Sequence, residues 1–125
     1  MGLLLAGLML LMTYIHGVIG GKKIWRPMLK HWQSHPQNKL IKGSLGFIWH
    51  AITLWFIAAS GLAIYAYFSP DMAEGIYFTL MVLFFSFGVV ATLYGKLIYG
   101  LFGASPQWMF FWPITITAFL AFISA

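Results

Sequence analysis

Four long apolar stretches follow one another along the chain, separated by short segments that carry its charges. No charged residue precedes Lys22, and none follows Lys96. Between them, Lys42 and Asp71 bracket one apolar stretch, and Glu74 and Lys96 bracket another. A helix that crosses about 30 Å of hydrocarbon needs roughly 20 mostly apolar residues. The pattern therefore predicts spans at about 2–20, 45–67, 75–95 and 107–124.

Composition excludes a water-soluble globule. The chain is 62% hydrophobic and 7% charged, whereas soluble domains average about 25% charged residues. Isolated strands cannot satisfy their backbone groups in lipid, and a run such as residues 80–85 does not alternate as a barrel strand would. We expect an all-α fold: one transmembrane domain over 1–125, built as an integral membrane four-helix bundle.

Basic residues predict how the spans are oriented. Six of the seven Lys and Arg residues lie in the connection 21–43, whereas the next connection, 69–74, carries both acidic residues, Asp71 and Glu74. Loops rich in Lys and Arg stay in the cytoplasm. We expect a cytoplasmic basic loop over 21–43, a multi-pass protein and both termini on the periplasmic side.

The basic connection is itself patterned. Apolar residues recur at helical spacing from Ile24 to Trp32, which predicts a short amphipathic helix lying in the headgroup layer between helices one and two. Residues 35–38 then read as a turn into the second span. Tryptophans anchor at such interfaces, and cations attract anionic headgroups. The residues expected at the lipid interface are Lys22, Lys23, Trp25, Arg26, Lys30 and Trp32.

The candidate chemistry is sparse. Cysteine is absent, and no Asp, Glu, Lys or Arg lies within the predicted spans. Proton relays and ion pathways need ionisable groups at membrane depth, and no carboxylate pair is available there for acid–base work. The basic residues adjoin a span, so anionic lipid explains them better than nucleic acid does. A non-enzymatic role is favoured.

Two histidines lie at membrane depth. His16 is near the cytoplasmic end of the first span and His50 near the cytoplasmic start of the second, so a helical hairpin would bring both to one level. Two imidazoles from facing helices suit haem b or a transition metal. The alternative, a structural hydrogen bond or packing role for each, is the more frequent role of such residues.

A second histidine pair is a weaker metal candidate. His31 and His35 are spaced i, i+4, which places two imidazoles on one helix face. No acidic or sulfur ligand accompanies them, so a solvated or lipid-facing pair is the favoured interpretation.

Small residues recur on the predicted helices, as in Ala59, Ala63 and Ala66. They let helix backbones approach closely, either within the chain or against another protein. The leading hypothesis is a small accessory or interaction subunit of a larger membrane assembly, with a protein partner or a homo-oligomer in the membrane. The competing hypothesis is a haem- or metal-binding electron-transfer component that uses His16 and His50. A third option, a small lipid- or quinone-contacting protein, rests only on the interfacial loop rich in Trp and Lys.

Three segments carry a resemblance. The stretch 16–20 (HGVIG), the stretch 26–29 (RPML) and the stretch 46–50 (GFIWH) resemble a family of small bacterial four-span membrane proteins. That family shows His-Ser/Gly-x-x-Gly at the end of helix one and Trp-His at the start of helix two, and has no established activity. The resemblance implies the same fold and a location in the bacterial inner membrane, and it again points to His16 and His50 as candidate functional residues.

Overall fold

The computed structural model describes residues 1–97 and 108–125, and within these ranges the chain is helical with no strand. A π-helical segment, Ile15–Trp25, joins α1 to α2, and a short 3-10 turn, Trp32–Ser34, ends this first helical run. The α-helices are α1 (Gly2–Tyr14), α2 (Arg26–His31), α3 (Asn38–Phe68), α4 (Pro70–Leu97) and α5 (Trp108–Ile123).

The first helical run does not stop at the predicted membrane boundary. Backbone helix continues for 33 residues, Gly2–Ser34, so the predicted amphipathic segment extends helix one and is not a separate element. The π-helical segment ends at Trp25, two residues before Pro27, whose ring excludes an ordinary α-helical bond to the carbonyl four residues earlier. Neither Gly20 nor Gly21 ends the helix. The predicted basic loop 21–43 is therefore helical on both sides of a short turn.

That turn lies where the sequence predicts it. His35 has an extended backbone, with φ −72° and ψ 139°, as the following Pro36 requires. The amide of Asn38 donates to the carbonyl of His35 at 3.0 Å, and the Asn38 side-chain amide donates to the carbonyl of Gln33 at 3.1 Å. The prediction of a turn at 35–38 is confirmed.

Four helices pack side by side in a closed order. The first run contacts α3 and α5, and α4 contacts α3 and α5. Alanines at Ala59, Ala63 and Ala66 are fully buried against the neighbouring helices, so these backbones come close together. Larger apolar side chains fill the space between the helices, chiefly Leu5, Met9, Phe56, Leu80, Phe84 and Ile114.

Hydroxyl groups are buried in this core without loss of hydrogen bonding. Ser60 donates to the carbonyl of Phe56 at 2.8 Å, and Thr115 donates to the carbonyl of Phe111 at 2.8 Å. Each hydroxyl uses a carbonyl four residues earlier in its own helix, so no polar partner from another helix is needed.

The core reaches only part-way along the first run and α3. Met12 is its last buried residue on α1 and Phe56 its first on α3, and no residue in 15–55 is buried. Aromatic rings of Phe56, Phe84 and Phe111 lie 6.1–6.4 Å apart, centroid to centroid, at this end of the core. Beyond them the two helices form a hairpin, residues 15–55, that packs on itself.

Helix length supports a membrane protein. Three helices, Gly2–Ser34, Asn38–Phe68 and Pro70–Leu93, are long and apolar enough to cross a bilayer. The apolar stretch of α5 within Met109–Ile123 is shorter, and Pro113 lies inside this helix.

Gly88 of α4 lies directly against Trp112 of α5. A methyl group at this position would lie 3.3 Å from the indole of Trp112, whose Nε1–H donates to the Thr92 hydroxyl at 3.0 Å. We expect Gly88→Leu to lower the free energy of unfolding in detergent by about 1–3 kcal/mol through overpacking. Gly75→Leu on the same helix, where nothing lies within 4 Å, is the matched control. Equal stability of the two variants would contradict this packing.

Candidate functional site

An aromatic seam runs between the first helical run and α3, in the part of the hairpin between the end of the core and the 35–38 turn. It consists of His16, Trp25, Trp49 and His50. The imidazole of His16 stacks on the indole of Trp49 with ring centroids 4.3 Å apart. That indole in turn stacks on Trp25 at 5.8 Å, and Trp25 meets His50 edge to face at 6.2 Å.

Two glycines make room for the indoles. A methyl group at Gly20 would lie 3.2 Å from the six-membered ring of Trp49, and one at Gly46 would lie 3.5 Å from that of Trp25. Each tryptophan thus lies over a glycine of the opposite helix. The seam depends on this exchange, because a larger residue at Gly20 would occupy the position of the Trp49 ring.

His16 is the more enclosed of the two candidate ligands. Its ring is half-buried, with Trp49 stacked on it and the edge of Phe56 at 5.6 Å between centroids. Its Nε2 atom is buried and has no hydrogen-bond partner of good geometry, although the backbone of Trp49 lies close enough to interact with the imidazole. Buried polar groups nearly always have partners, so this nitrogen is the one polar atom of the seam that calls for an explanation.

His16 and His50 do not face each other. Ring contacts connect them only through Trp49 and Trp25, and His50 is exposed. His16 contacts Trp49, the neighbour of His50, so the two histidines lie at similar levels along the hairpin, but a hairpin alone does not make them a pair. In this arrangement a ring plane cannot enter between the imidazoles without displacing an indole.

His31 and His35 also differ from expectation. The helical run ends at Ser34, and His35 lies in the turn, so the i, i+4 helical spacing does not apply to them. Both are exposed, each meets Trp32 edge to face, and His35 Nδ1 accepts a hydrogen bond from the Gln37 amide at 3.2 Å. Within 1–97 and 108–125, no group of three His, Cys, Asp or Glu side chains is placed to hold a metal ion.

A basic groove of about 560 Å³ opens beside the seam. Lys22 and Arg26 lie along it, and Trp25, Trp49 and His50 supply aromatic surface. The remaining lining residues are small or apolar: Gly17, Val18, Gly21, Leu29 and Thr53. Of the residues predicted at the lipid interface, Lys22, Trp25 and Arg26 belong to this groove.

The other three predicted interface residues lie elsewhere. Lys23 and Lys30 are exposed outside the groove, and Trp32 is half-buried between the rings of His31 and His35. All three belong to the same helical run as the groove residues.

A second surface lies on the outer side of α3. The four most exposed large apolar side chains among the described residues are Phe47 (75%), Phe68 (72%), Leu40 (67%) and Leu54 (66%). Successive members of this set are seven or fourteen residues apart, and the exposed Gly61 takes the remaining position of the series. We call Leu40, Phe47, Leu54 and Phe68 the α3 stripe.

Small residues accompany the stripe. Ser44, Ala51 and Ala58 are exposed and are likewise seven residues apart. The sequence analysis noted small residues on α3 but did not detect this spacing. Counting apolar residues at every seventh position would have found it, because the repeat is visible in the sequence.

Comparisons with known protein families, with curated proteins and with solved structures found no match to this chain. The resemblance to a bacterial four-span family stays a prediction.

The ring contacts predict a specific energetic coupling. In a double-mutant cycle with His16→Ala and Trp49→Leu, we expect a coupling of about 0.5–1.5 kcal/mol, as for other aromatic pairs. The control cycle, His16→Ala with His50→Ala, should be additive within about 0.5 kcal/mol because these rings do not touch. Urea unfolding in detergent measures both. Coupling in the second cycle but not the first would contradict the seam.

Proposed function

We propose that this chain is a non-enzymatic protein of the bacterial inner membrane that serves as an interaction subunit of a larger membrane assembly. In this proposal it is a membrane four-helix bundle that crosses four times, with both termini in the periplasm and the basic loop 21–43, the turn end of the hairpin, in the cytoplasm. The concentration of Lys and Arg in that loop supports this orientation.

The observation that carries the proposal is the α3 stripe. Apolar residues repeated every seven positions form a continuous line of contact when two helices cross at a small angle, since that spacing keeps one face toward the partner. Small residues such as Ala51 and Ala58 beside the stripe would let a partner backbone approach closely. The stripe therefore has the pattern of a helix–helix interface with an outside helix.

Lipid tails do not account for the whole stripe. A helix of 31 residues is about 46 Å long, whereas the hydrocarbon layer is about 30 Å thick. If the acidic start of α4 lies at one membrane boundary, the Asn38 end of α3 extends beyond the other. Leu40 then lies outside the hydrocarbon with most of its side chain exposed, and a protein surface is the cover that suits it.

Cysteine scanning tests the proposal cleanly, because the chain contains no cysteine. We expect Ala51→Cys and Ala58→Cys, each carrying a thiol-linked benzophenone, to give discrete protein adducts in native membranes. Gly7→Cys, an exposed small position on α1, should give at least several-fold less.

The adduct identifies the partner by mass, and oxidation to a disulfide-linked dimer would identify a second copy of this chain. Equal labelling at Gly7, or lipid adducts alone at all three positions, would contradict the interface.

A second candidate function rests on the unpartnered Nε2 of His16. A haem or transition-metal ion bound there would satisfy this atom, although His50 would need Trp25 and Trp49 to move before it could be a second ligand. If His16 binds such a cofactor, the chain would be an electron-transfer component and not a purely structural subunit.

An absorption spectrum with metal analysis decides between these two candidates. If His16 is a ligand, protein purified from haem- and metal-replete cells should carry a haem band or bound metal. His16→Ala should abolish it, and the exposed control His31→Ala should retain it. A colourless and metal-free preparation eliminates this candidate.

A further inference from the structure

The basic groove combines two kinds of surface in one cleft. Positions 17, 21, 25 and 29 of the first helical run line it, as do 18, 22 and 26. At the end nearer the core these positions are small or apolar, and at the end nearer the turn they include the cations Lys22 and Arg26. A ligand that fills the groove must therefore have an apolar part and an anionic part.

The two cations have no acidic partner in the chain. Asp71 and Glu74 are its only carboxylate side chains, and they lie in the first turns of α4, near the start of α1. Lys22 is 20 residues from the start of the first run at Gly2, which corresponds to about 30 Å of helix. Like charges four residues apart destabilise a helix, so an anion between Lys22 and Arg26 would relieve their repulsion.

Gly21 leaves part of the groove open. A methyl group there would meet nothing within 4 Å, whereas one at the neighbouring Gly20 would press on Trp49. The space is therefore a property of the groove, and a larger side chain at Gly21 would fill it without disturbing the seam.

We infer that the basic groove binds one anionic phospholipid. Lys22 and Arg26 contact the phosphate, and an acyl chain lies along Gly17, Val18 and Thr53 toward the core. The inference rests on the proposed topology, which places the groove at the cytoplasmic boundary. Basic pockets between membrane helices on that side recognise anionic headgroups, and tryptophans such as Trp25 and Trp49 favour the same level.

Native mass spectrometry of the detergent-purified chain tests this inference. We expect retained phosphatidylglycerol and much less phosphatidylcholine of the same acyl chains. The Lys22→Gln/Arg26→Gln variant should bind phosphatidylglycerol about 10–30-fold more weakly, since each cation near an anionic surface contributes roughly a fivefold factor. Lys39→Gln/Lys42→Gln, which removes the same charge outside the groove, should change affinity less than about threefold.

Gly21→Leu tests the space independently of the charge. It should reduce retention of phosphatidylglycerol at least as much as the loss of both cations, while Gly7→Leu on the same helical run should not. Equal retention of both lipids, or equal effects of the groove variants and their controls, would overturn the inference. Displacement by inorganic phosphate at matched concentration would also overturn it, because the site would then be one for free phosphate.

Failure here is distinguishable from failure of the proposed function. The Ser34→Cys variant should react with an impermeant maleimide only in inside-out vesicles, and reaction from the outer face would overturn the topology. Loss of lipid retention with intact cross-linking at Ala58 would overturn the lipid site alone.

Discussion

Close packing of α3 in the bundle depends on residues with very small side chains. Ala59, Ala63 and Ala66 are buried, α3 packs against both α1 and α4, and dispersion contacts between large neighbouring side chains can form around these alanines. In lipid there is little hydrophobic drive to bring helices together, and close packing must supply the association. The hairpin of residues 15–55 extends from the packed parts of α1 and α3, and it carries both the aromatic seam and the basic groove.

Nearer the turn, the first helical run and α3 contact each other through glycines and aromatic rings. Trp49 covers Gly20 and Trp25 lies against Gly46, so indole rings occupy the space that side chains would otherwise fill. This exchange keeps the hairpin together where no residue is buried. It also explains why His16 and His50 lie at similar levels of the hairpin without being in contact.

The basic groove and the α3 stripe are proposed to bind different neighbours, a lipid and a protein. The basic groove uses Trp49, His50 and Thr53 of α3, and the α3 stripe uses none of these residues. A lipid in the groove and a protein on the stripe could therefore be bound together. An anionic lipid would neutralise cations near the turn, and a partner helix would cover the apolar residues that extend past the hydrocarbon. Each occupant meets a requirement that the isolated chain leaves unmet.

The sequence by itself determined the helical class, the placement of the long apolar segments and the turn at 35–38, because hydropathy, charge and the restriction before Pro36 act locally along the chain. It also predicted that His16 and His50 lie at similar levels along the hairpin, since helix rise alone gives that. Only the tertiary structure decided that the first run continues through Gly20 and Gly21. Likewise only the tertiary structure showed that Trp25 and Trp49, and not a shared cofactor space, connect the two histidines. The reason is physical: these features depend on how two helices are rotated against each other, and a stacking contact has no signature in the spacing of residues along one chain.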